Sequence, residues 1–127
     1  MSEQECKEKT WNITPVPKPR MTQRDKWAKR PAVLRYRAFC DEVRLNGVTL
    51  PNAGARGEFH LPMPKSWSKK KRDKMDGKPH QQKPDLDNMI KSLLDSIHKE
   101  DCGVHDISAC KRWAKSGAIT IKRRLDC

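Results

Sequence analysis

The chain has 127 residues, which suffices for one domain with a modest hydrophobic core. Its 28 lysines and arginines outnumber its 16 acidic residues, so the formal charge is +12 and the isoelectric point lies near 9.8. This excess of positive charge argues against a protein that binds only neutral metabolites and favours a polyanionic partner. The sequence has no run of about 20 apolar residues and no signal-peptide pattern, so we expect a cytoplasmic protein without a membrane partner.

The cysteines are odd in number and scattered, and they form no C-x-x-C pair. They are Cys6, Cys40, Cys102, Cys110 and Cys127. We therefore predict reduced thiols rather than a disulfide framework or a zinc ribbon. Cys102, His105 and Cys110 offer only three local ligands, and a strand would direct His105 and Cys110 to opposite faces, so no zinc is expected.

The first half of the chain predicts a strand, a helix and a second strand. Segment 10–20 alternates apolar and polar residues and predicts a short strand ended by Pro15, with a basic loop after it. From Pro31, apolar residues recur at helical spacing and predict a helix. Segment 57–63 alternates again, which predicts a strand closed by Pro64.

The second half predicts two helices and two strands. Ser68 is a favoured N-cap for a short cationic helix, and an amphipathic helix is predicted over roughly 86–98. Two alternating runs separated by residues 115–117 predict a β-hairpin. This order of elements predicts an α+β fold in which a mixed sheet packs against two or three helices. We expect residues 1–10 to form a disordered tail and residues 11–127 a single domain.

The stretch "KPDLDNMIKSLLD" at 83–95 places two aspartates at the start of the amphipathic helix. One interpretation is structural. Asp85 is a favoured N-cap, Asp87 complements the helix dipole, and an i,i+4 pair between Asp87 and Lys91 contributes about 0.2–0.5 kcal/mol. Asp95, two turns after Asp87, is interpreted as a solvated residue of the helix face.

The other interpretation of these carboxylates is catalytic. In a chain with a charge of +12, clustered acids repel the polyanion that the remaining surface attracts, unless a cation lies between them. Mg²⁺ prefers oxygen ligands and is often held by one or two carboxylates and a substrate phosphate. Asp85 and Asp87 are placed to converge on such an ion, while Lys91 would stabilise the phosphate or the leaving oxygen.

A third acid would complete such a site. Glu100, Asp101 and Asp106 all follow the helix closely, and spacing alone does not choose among them. His80 and His98 lie near the proposed site in sequence. Proton transfer is one interpretation of these histidines, and a solvated loop residue and a helix C-terminal residue are the alternatives.

At these residues the chain resembles the RusA family of Holliday-junction resolvases, in which K-P-D-x-D-N-x-x-K precedes a helix and D-D precedes a strand. "KPDLDNMIK" and "EDCGVHDISACKRW" carry the resemblance, and "PVPKPRMTQRDKW" and "RPAVLRYRAFCDEVR" extend it over roughly 12–122. The resemblance implies a homodimeric, Mg²⁺-dependent endonuclease, with Mn²⁺ as an alternative metal, that cuts four-way DNA junctions symmetrically. It also implies association with the nucleoid on DNA binding, and the family is common in prophages.

The resemblance assigns roles to individual residues. Asp85, Asp87 and Asp101 match the catalytic, metal-holding acids, Lys91 matches the active-site lysine, and Asn88 matches the motif asparagine.

The third acid departs from the family pattern. Glu100 replaces the first aspartate of the usual pair, and Asp101 follows Asp95 by only six residues. Asp106 is therefore kept as an alternative. Asp101 is preferred because the basic run at 111–113 then falls in register with the family.

Basic residues outside the motif are predicted to contact DNA phosphates, with a solvated charged face as the alternative. They are Arg20, Arg24, Lys26, Lys69, Lys70, Lys71, Arg72 and Lys83. Trp27 and Trp67 either stack on unpaired bases or pack inside the protein. Two other functions compete with junction resolution: a non-catalytic DNA-binding accessory protein, and a nuclease that prefers other branched DNA.

Overall fold

The computed structural model describes residues 8–19, 30–50, 54–97 and 104–123. They form one four-stranded mixed sheet and three helices, which confirms the predicted α+β fold. The strands are β1 (Glu8–Trp11), β2 (Ala55–Pro62), β3 (Ile107–Ala114) and β4 (Ala118–Arg123). The helices are α1 (Pro31–Leu45), α2 (Lys69–Met75) and α3 (Leu86–Ile97).

The helix ends follow the local sequence signals. Pro31 occupies the first turn of α1, where its missing N–H removes no hydrogen bond, and Gly47 follows the helix with a φ of 65°. Ser68 caps α2, since its side chain accepts a hydrogen bond of 3.2 Å from the Lys71 backbone N–H. The predicted positions of all three helices are therefore confirmed.

The predicted hairpin between the last two strands is wrong. The strand order is β1-β4-β2-β3, so β2 lies between β3 and β4. β2 pairs in parallel with β3 and antiparallel with β4. Alternation and a short turn identify two strands, but they do not identify each strand's partner. Residues 115–117 here lead from one side of β2 to the other, near the end of β2 at Pro62.

The first strand also differs from its prediction. β1 begins at Glu8, inside the segment expected to be a tail, and ends at Trp11, four residues before Pro15. It pairs antiparallel with β4 at one edge of the sheet. Residues 12–19 then run towards the helices: Ile13 enters the core at 2% exposure, and the Lys18 backbone N–H donates to the Asn88 carbonyl at 3.1 Å.

The hydrophobic core lies between one face of the sheet and helices α1 and α3. Alternate residues of β2 are buried, and Phe59 at its centre is 1% exposed. Met89 and Leu93 of α3 are fully buried, and the other members of its predicted apolar stripe pack against the core. These members are Leu86, Ile90, Leu94 and Ile97. The stripe holds α3 in place and so fixes the position of its N-terminal end.

The opposite face of the sheet carries a charged network. The Lys122 ammonium lies 2.9 Å from the Glu58 carboxylate and 3.3 Å from that of Glu8. The hydrogen bond from Lys122 holds the pKa of Glu58 below its ordinary value of 4.5, although burial opposes this shift. Because the pKa is lower in the folded state, the interaction stabilises the fold above the unfolded pKa, and that stability is lost as the pH falls.

We expect Lys122→Met to destabilise the protein by about 0.5–1 kcal/mol at pH 7, after allowance for solvent screening of this partly exposed lysine. The difference from wild type should shrink as the pH falls below about 4.5, because Glu58 is then protonated in the unfolded state and, at still lower pH, in the folded state as well. Urea unfolding at pH 7 and at acidic pH measures this difference. Glu8→Gln is the control for the second, more exposed partner, and a destabilisation by Lys122→Met that does not vary with pH would contradict the assignment.

Candidate active site

Asp85 lies directly before α3. Its backbone carbonyl accepts the first hydrogen bond of the helix, from Met89 at 3.2 Å, so Asp85 occupies the N-cap position. Its carboxylate is exposed and makes no hydrogen bond or ion pair with any residue that the structure describes. Capping of the backbone N–H groups would have engaged this carboxylate. The side chain is thus available for a partner outside the fold.

Asp87 and Lys91 lie one turn apart on the exposed side of α3. The Asp87 Oδ2 and Lys91 Nζ atoms are 3.8 Å apart, and the side chains are 69% and 62% exposed. The predicted i,i+4 pair is therefore confirmed. An ion pair with this much exposure contributes little to the stability of the fold, and both groups remain accessible to a substrate. Asp87 also lies in the first turn, where the helix dipole favours negative charge.

A cleft of about 560 Å³ opens beside Asp85. Its walls come from the start of α1, the start of α3, and the two segments that precede these helices. The polar lining residues are Lys18, Arg35, Lys83, Asp85 and Asn88. Arg35 and Lys83 are exposed and pair with no carboxylate in the described chain. The cleft therefore places one acid among cations, which suits a phosphate group.

Sequence reasoning missed Arg35. It is one of several arginines on α1, and nothing in the periodicity of that helix distinguishes it. Only the packing of α1 against α3 brings it to the cleft that contains Asp85.

Asp95 is not the solvated residue that the sequence predicts. Its carboxylate pairs with the Lys18 ammonium and accepts a hydrogen bond of 3.4 Å from the Tyr36 hydroxyl. Burial is the main reason that the pKa of Tyr36 lies well above its ordinary value of 10.0. Together with the backbone bond from Lys18 to Asn88, these contacts hold residues 12–19 against α3 beside the cleft.

The segment 77–84, which we call the connector, runs along β3 before it reaches Asp85. The Gly77 N–H donates to the Trp113 carbonyl at 2.8 Å, and the Trp113 N–H donates to the Lys78 carbonyl at 2.9 Å. The His80 N–H donates to the Lys111 carbonyl at 3.0 Å. The connector is therefore attached to the sheet, and it carries Asp85 to a defined place.

His80 is a packed residue rather than a solvated one. It is 7% exposed, and its ring centroid lies 4.2 Å from that of Trp113. Burial, followed by the charge of Lys111, lowers the pKa of His80 below 6.5. These surroundings favour a neutral structural role over proton transfer. His98 lies outside the described residues.

The third acid predicted by the resemblance, Asp101, lies outside the described residues, as does Glu100. In the described part of the chain no three His, Cys, Asp or Glu side chains come together to hold a metal. Asp106 belongs to that part, so it does not join Asp85 and Asp87 in a three-acid group. Its carbonyl accepts a hydrogen bond of 3.4 Å from Ala55 where β2 and β3 begin.

The donors at the start of α3 nevertheless fit a hard divalent cation. Asp85 and Asp87 supply exposed carboxylates two residues apart, and Asp85 has no competing partner among the described residues. Mg²⁺ commonly keeps several waters and takes only one or two carboxylates from the protein, with substrate phosphates completing its coordination.

The structure describes some of the predicted DNA-contacting residues and not others. Lys69, Lys70 and Lys71 are exposed on α2 and Lys83 on the connector, while Arg72 is half-buried. Arg20, Arg24 and Lys26 lie outside the described residues, as does Trp27.

Trp67 is half-buried and packs against Trp113. Its ring centroid lies 4.8 Å from that of Trp113, and the Lys71 ammonium lies 4.2 Å from its ring. Of the two interpretations of this tryptophan, the structure supports packing, in which the ring joins α2 to the end of β3.

No helix in the described ranges is both long and apolar enough to span a membrane. Comparison with curated proteins finds no match. The family model for endodeoxyribonuclease RusA matches residues 12–123, a span that contains the cleft, both aspartates at the start of α3, and Lys91. Nucleases of this family generally depend on a divalent metal. Because the match covers most of the 127 residues, the chain belongs to the RusA family of endodeoxyribonucleases, enzymes that hydrolyse the phosphodiester bonds of DNA.

Proposed function

We propose that the protein is a Mg²⁺-dependent, structure-selective endonuclease that resolves four-way DNA junctions as a homodimer. The observation that carries this proposal is the exposed Asp85 carboxylate, which has no partner in the described chain and faces a cationic cleft. A carboxylate whose role was only to stabilise the fold would form a hydrogen bond or an ion pair with another part of the protein. Membership of the RusA family supports the same conclusion.

Asp85 and Asp87 would hold the metal, and Asp101 is proposed as the third ligand. When bound, Mg²⁺ supplies polarisation of the phosphoryl oxygen and a more acidic water. Lys91 lies beside Asp87 and would place its ammonium near the charge that develops on the scissile phosphate. Asn88, in the cleft wall, offers an amide that would orient the same phosphate. Mn²⁺ is the alternative metal.

Cations around the cleft would bind the DNA backbone on either side of the scissile bond. Arg35 and Lys83 line the cleft itself, and Arg35 can make two parallel hydrogen bonds to one phosphate. The exposed lysines of α2 are proposed as additional contacts to the DNA backbone. Arg20, Arg24 and Lys26 of the basic segment 20–29 are proposed as further phosphate contacts. These contacts position DNA without reading its sequence.

A homodimer is proposed from the symmetry of the substrate. A four-way junction has two strands to cut at related positions, and a two-fold axis in the enzyme would present two equivalent active sites to them. Paired incisions would then yield two nicked duplexes.

The test compares wild-type cleavage of a synthetic four-way junction in Mg²⁺, in Mn²⁺ and in EDTA. We expect paired cuts with either metal and no cuts in EDTA. Flap, fork and linear duplex substrates are assayed at the same salt concentration, because phosphate contacts make binding strongly salt-dependent. Duplex cut as readily as junctions would contradict structure selectivity, and preferential cutting of flaps would favour the nuclease for other branched DNA.

A further inference from the structure

Lys111, in the middle of β3, contacts the connector at three points. Its Nζ atom donates to the Gln82 carbonyl at 2.7 Å and to the Pro84 carbonyl at 2.6 Å. Its backbone carbonyl accepts the hydrogen bond from His80. The Pro84 carbonyl belongs to the peptide group that contains the backbone nitrogen of Asp85. A lysine from a distant strand thus holds the chain at the residue before the candidate metal ligand.

The positive charge of Lys111 is not neutralised locally. Both acceptors of its Nζ atom are neutral carbonyls, and the ammonium pairs with no carboxylate in the described ranges. The residue is half-buried, so solvent screens its charge less than that of an exposed lysine. These two charge-assisted hydrogen bonds hold the ammonium at the connector.

The connector has other attachments to β3. Gly77, Lys78 and His80 are bonded to the strand through backbone groups, and the Arg112 guanidinium also donates to the Gly77 carbonyl at 3.1 Å. Loss of the Lys111 ammonium would therefore leave the first half of the connector attached and release mainly residues 82–84. This separates the effect of the ammonium on Asp85 from its effect on folding.

We infer that Lys111 is a positioning residue of the active site, which fixes the Pro84–Asp85 peptide group and thereby the place of the Asp85 carboxylate for metal binding. The inference rests on the proposed function, because it takes metal binding to be the role of Asp85. Lys111 acts through Asp85 and touches neither the metal nor the DNA. It comes from a part of the chain outside the motif at 83–95.

The test compares Lys111→Met, Lys111→Arg and the control Lys115→Met, which removes an exposed lysine paired with Asp73 at 3.9 Å. Binding of Mn²⁺ to the full-length protein without DNA is measured by electron paramagnetic resonance of the free ion. We expect Lys111→Met to weaken Mn²⁺ binding by about 10–100-fold and to raise the half-saturating Mg²⁺ concentration for junction cleavage by a similar factor. Lys111→Arg should recover most of the loss, because a guanidinium also donates to two carbonyls.

Junction binding in EDTA and the melting temperature should change little in Lys111→Met. Wild-type Mn²⁺ binding in that variant would overturn the inference, and so would a fall in melting temperature of more than about 10 °C, since the ammonium would then support the fold as a whole. If Lys111→Arg binds Mn²⁺ as weakly as Lys111→Met, the positioning role is also wrong. Failure of the wild type to bind metal or to cut junctions would instead refute the proposed function.

Discussion

Replacement of Asp87 by asparagine is expected to reduce Mg²⁺-supported cleavage of a four-way junction by at least about 10³-fold, which corresponds to several kcal/mol of lost transition-state stabilisation. Asparagine preserves the shape of the side chain but removes the charge that we propose to hold the metal. Asp87 is 69% exposed and its pair with Lys91 is weak, so the fold should not suffer. Binding of the junction should be unchanged or tighter, because one negative charge no longer repels the phosphates.

Cleavage is measured under single-turnover conditions, and binding by gel shift in EDTA. Asp41→Asn is the matched control: it makes the same charge change at an exposed position on α1, away from the cleft. An Asp87→Asn protein that cuts like wild type would show that the active site lies elsewhere. A wild-type protein that binds junctions tightly but cuts nothing in any metal would favour the non-catalytic accessory protein.

Gly117→Ala is expected to destabilise the protein by about 2–3 kcal/mol, as overpacking of a tight site does. A Cβ atom at this position would lie 2.3 Å from Thr14 Oγ1 and 2.6 Å from Thr14 Cα. The second contact is with the backbone, so rotation of a side chain cannot relieve it. The clash would displace the segment that continues from Thr14 to Lys18 in the cleft wall.

Gly57→Ala provides the comparison for this variant. Gly57 lies within β2, and a Cβ atom there would have no neighbour within 4 Å. Alanine in a strand also loses less backbone entropy on folding than glycine, so this variant should be neutral or slightly more stable. Urea unfolding measures both free energies of unfolding. Equal values for the two variants would show that the close approach of Thr14 to Gly117 does not constrain the fold.

The elements of this fold were predictable where a pattern is local. The apolar stripe of α3, Pro31 at the start of α1, and Ser68 before α2 each act within a few residues of chain. Strand pairing depends on contacts between distant segments, and alternation alone does not determine it. For this reason the last two strands were located correctly, while the hairpin between them was wrong.

The same difference between local patterns and contacts of distant segments applies to the candidate site. Asp87 and Lys91 were paired correctly because one helical turn joins them. The environment of Asp95 was not predictable, since Lys18 and Tyr36 are 77 and 59 residues away in sequence. Arg35 and Lys111 reach the site by packing of α1 and by the course of β3 respectively, and no spacing within the motif points to either.

The connector also has a consequence for solubility. β3 lies at an edge of the sheet, and an uncovered edge strand can pair with strands of other molecules and start aggregation. The hydrogen bonds with Gly77, Lys78 and His80 occupy backbone groups of Lys111 and Trp113, in the second half of β3. The residues that deliver Asp85 to the cleft thus also protect that edge, so substitutions that loosen them would expose the protein to aggregation as well as impair catalysis.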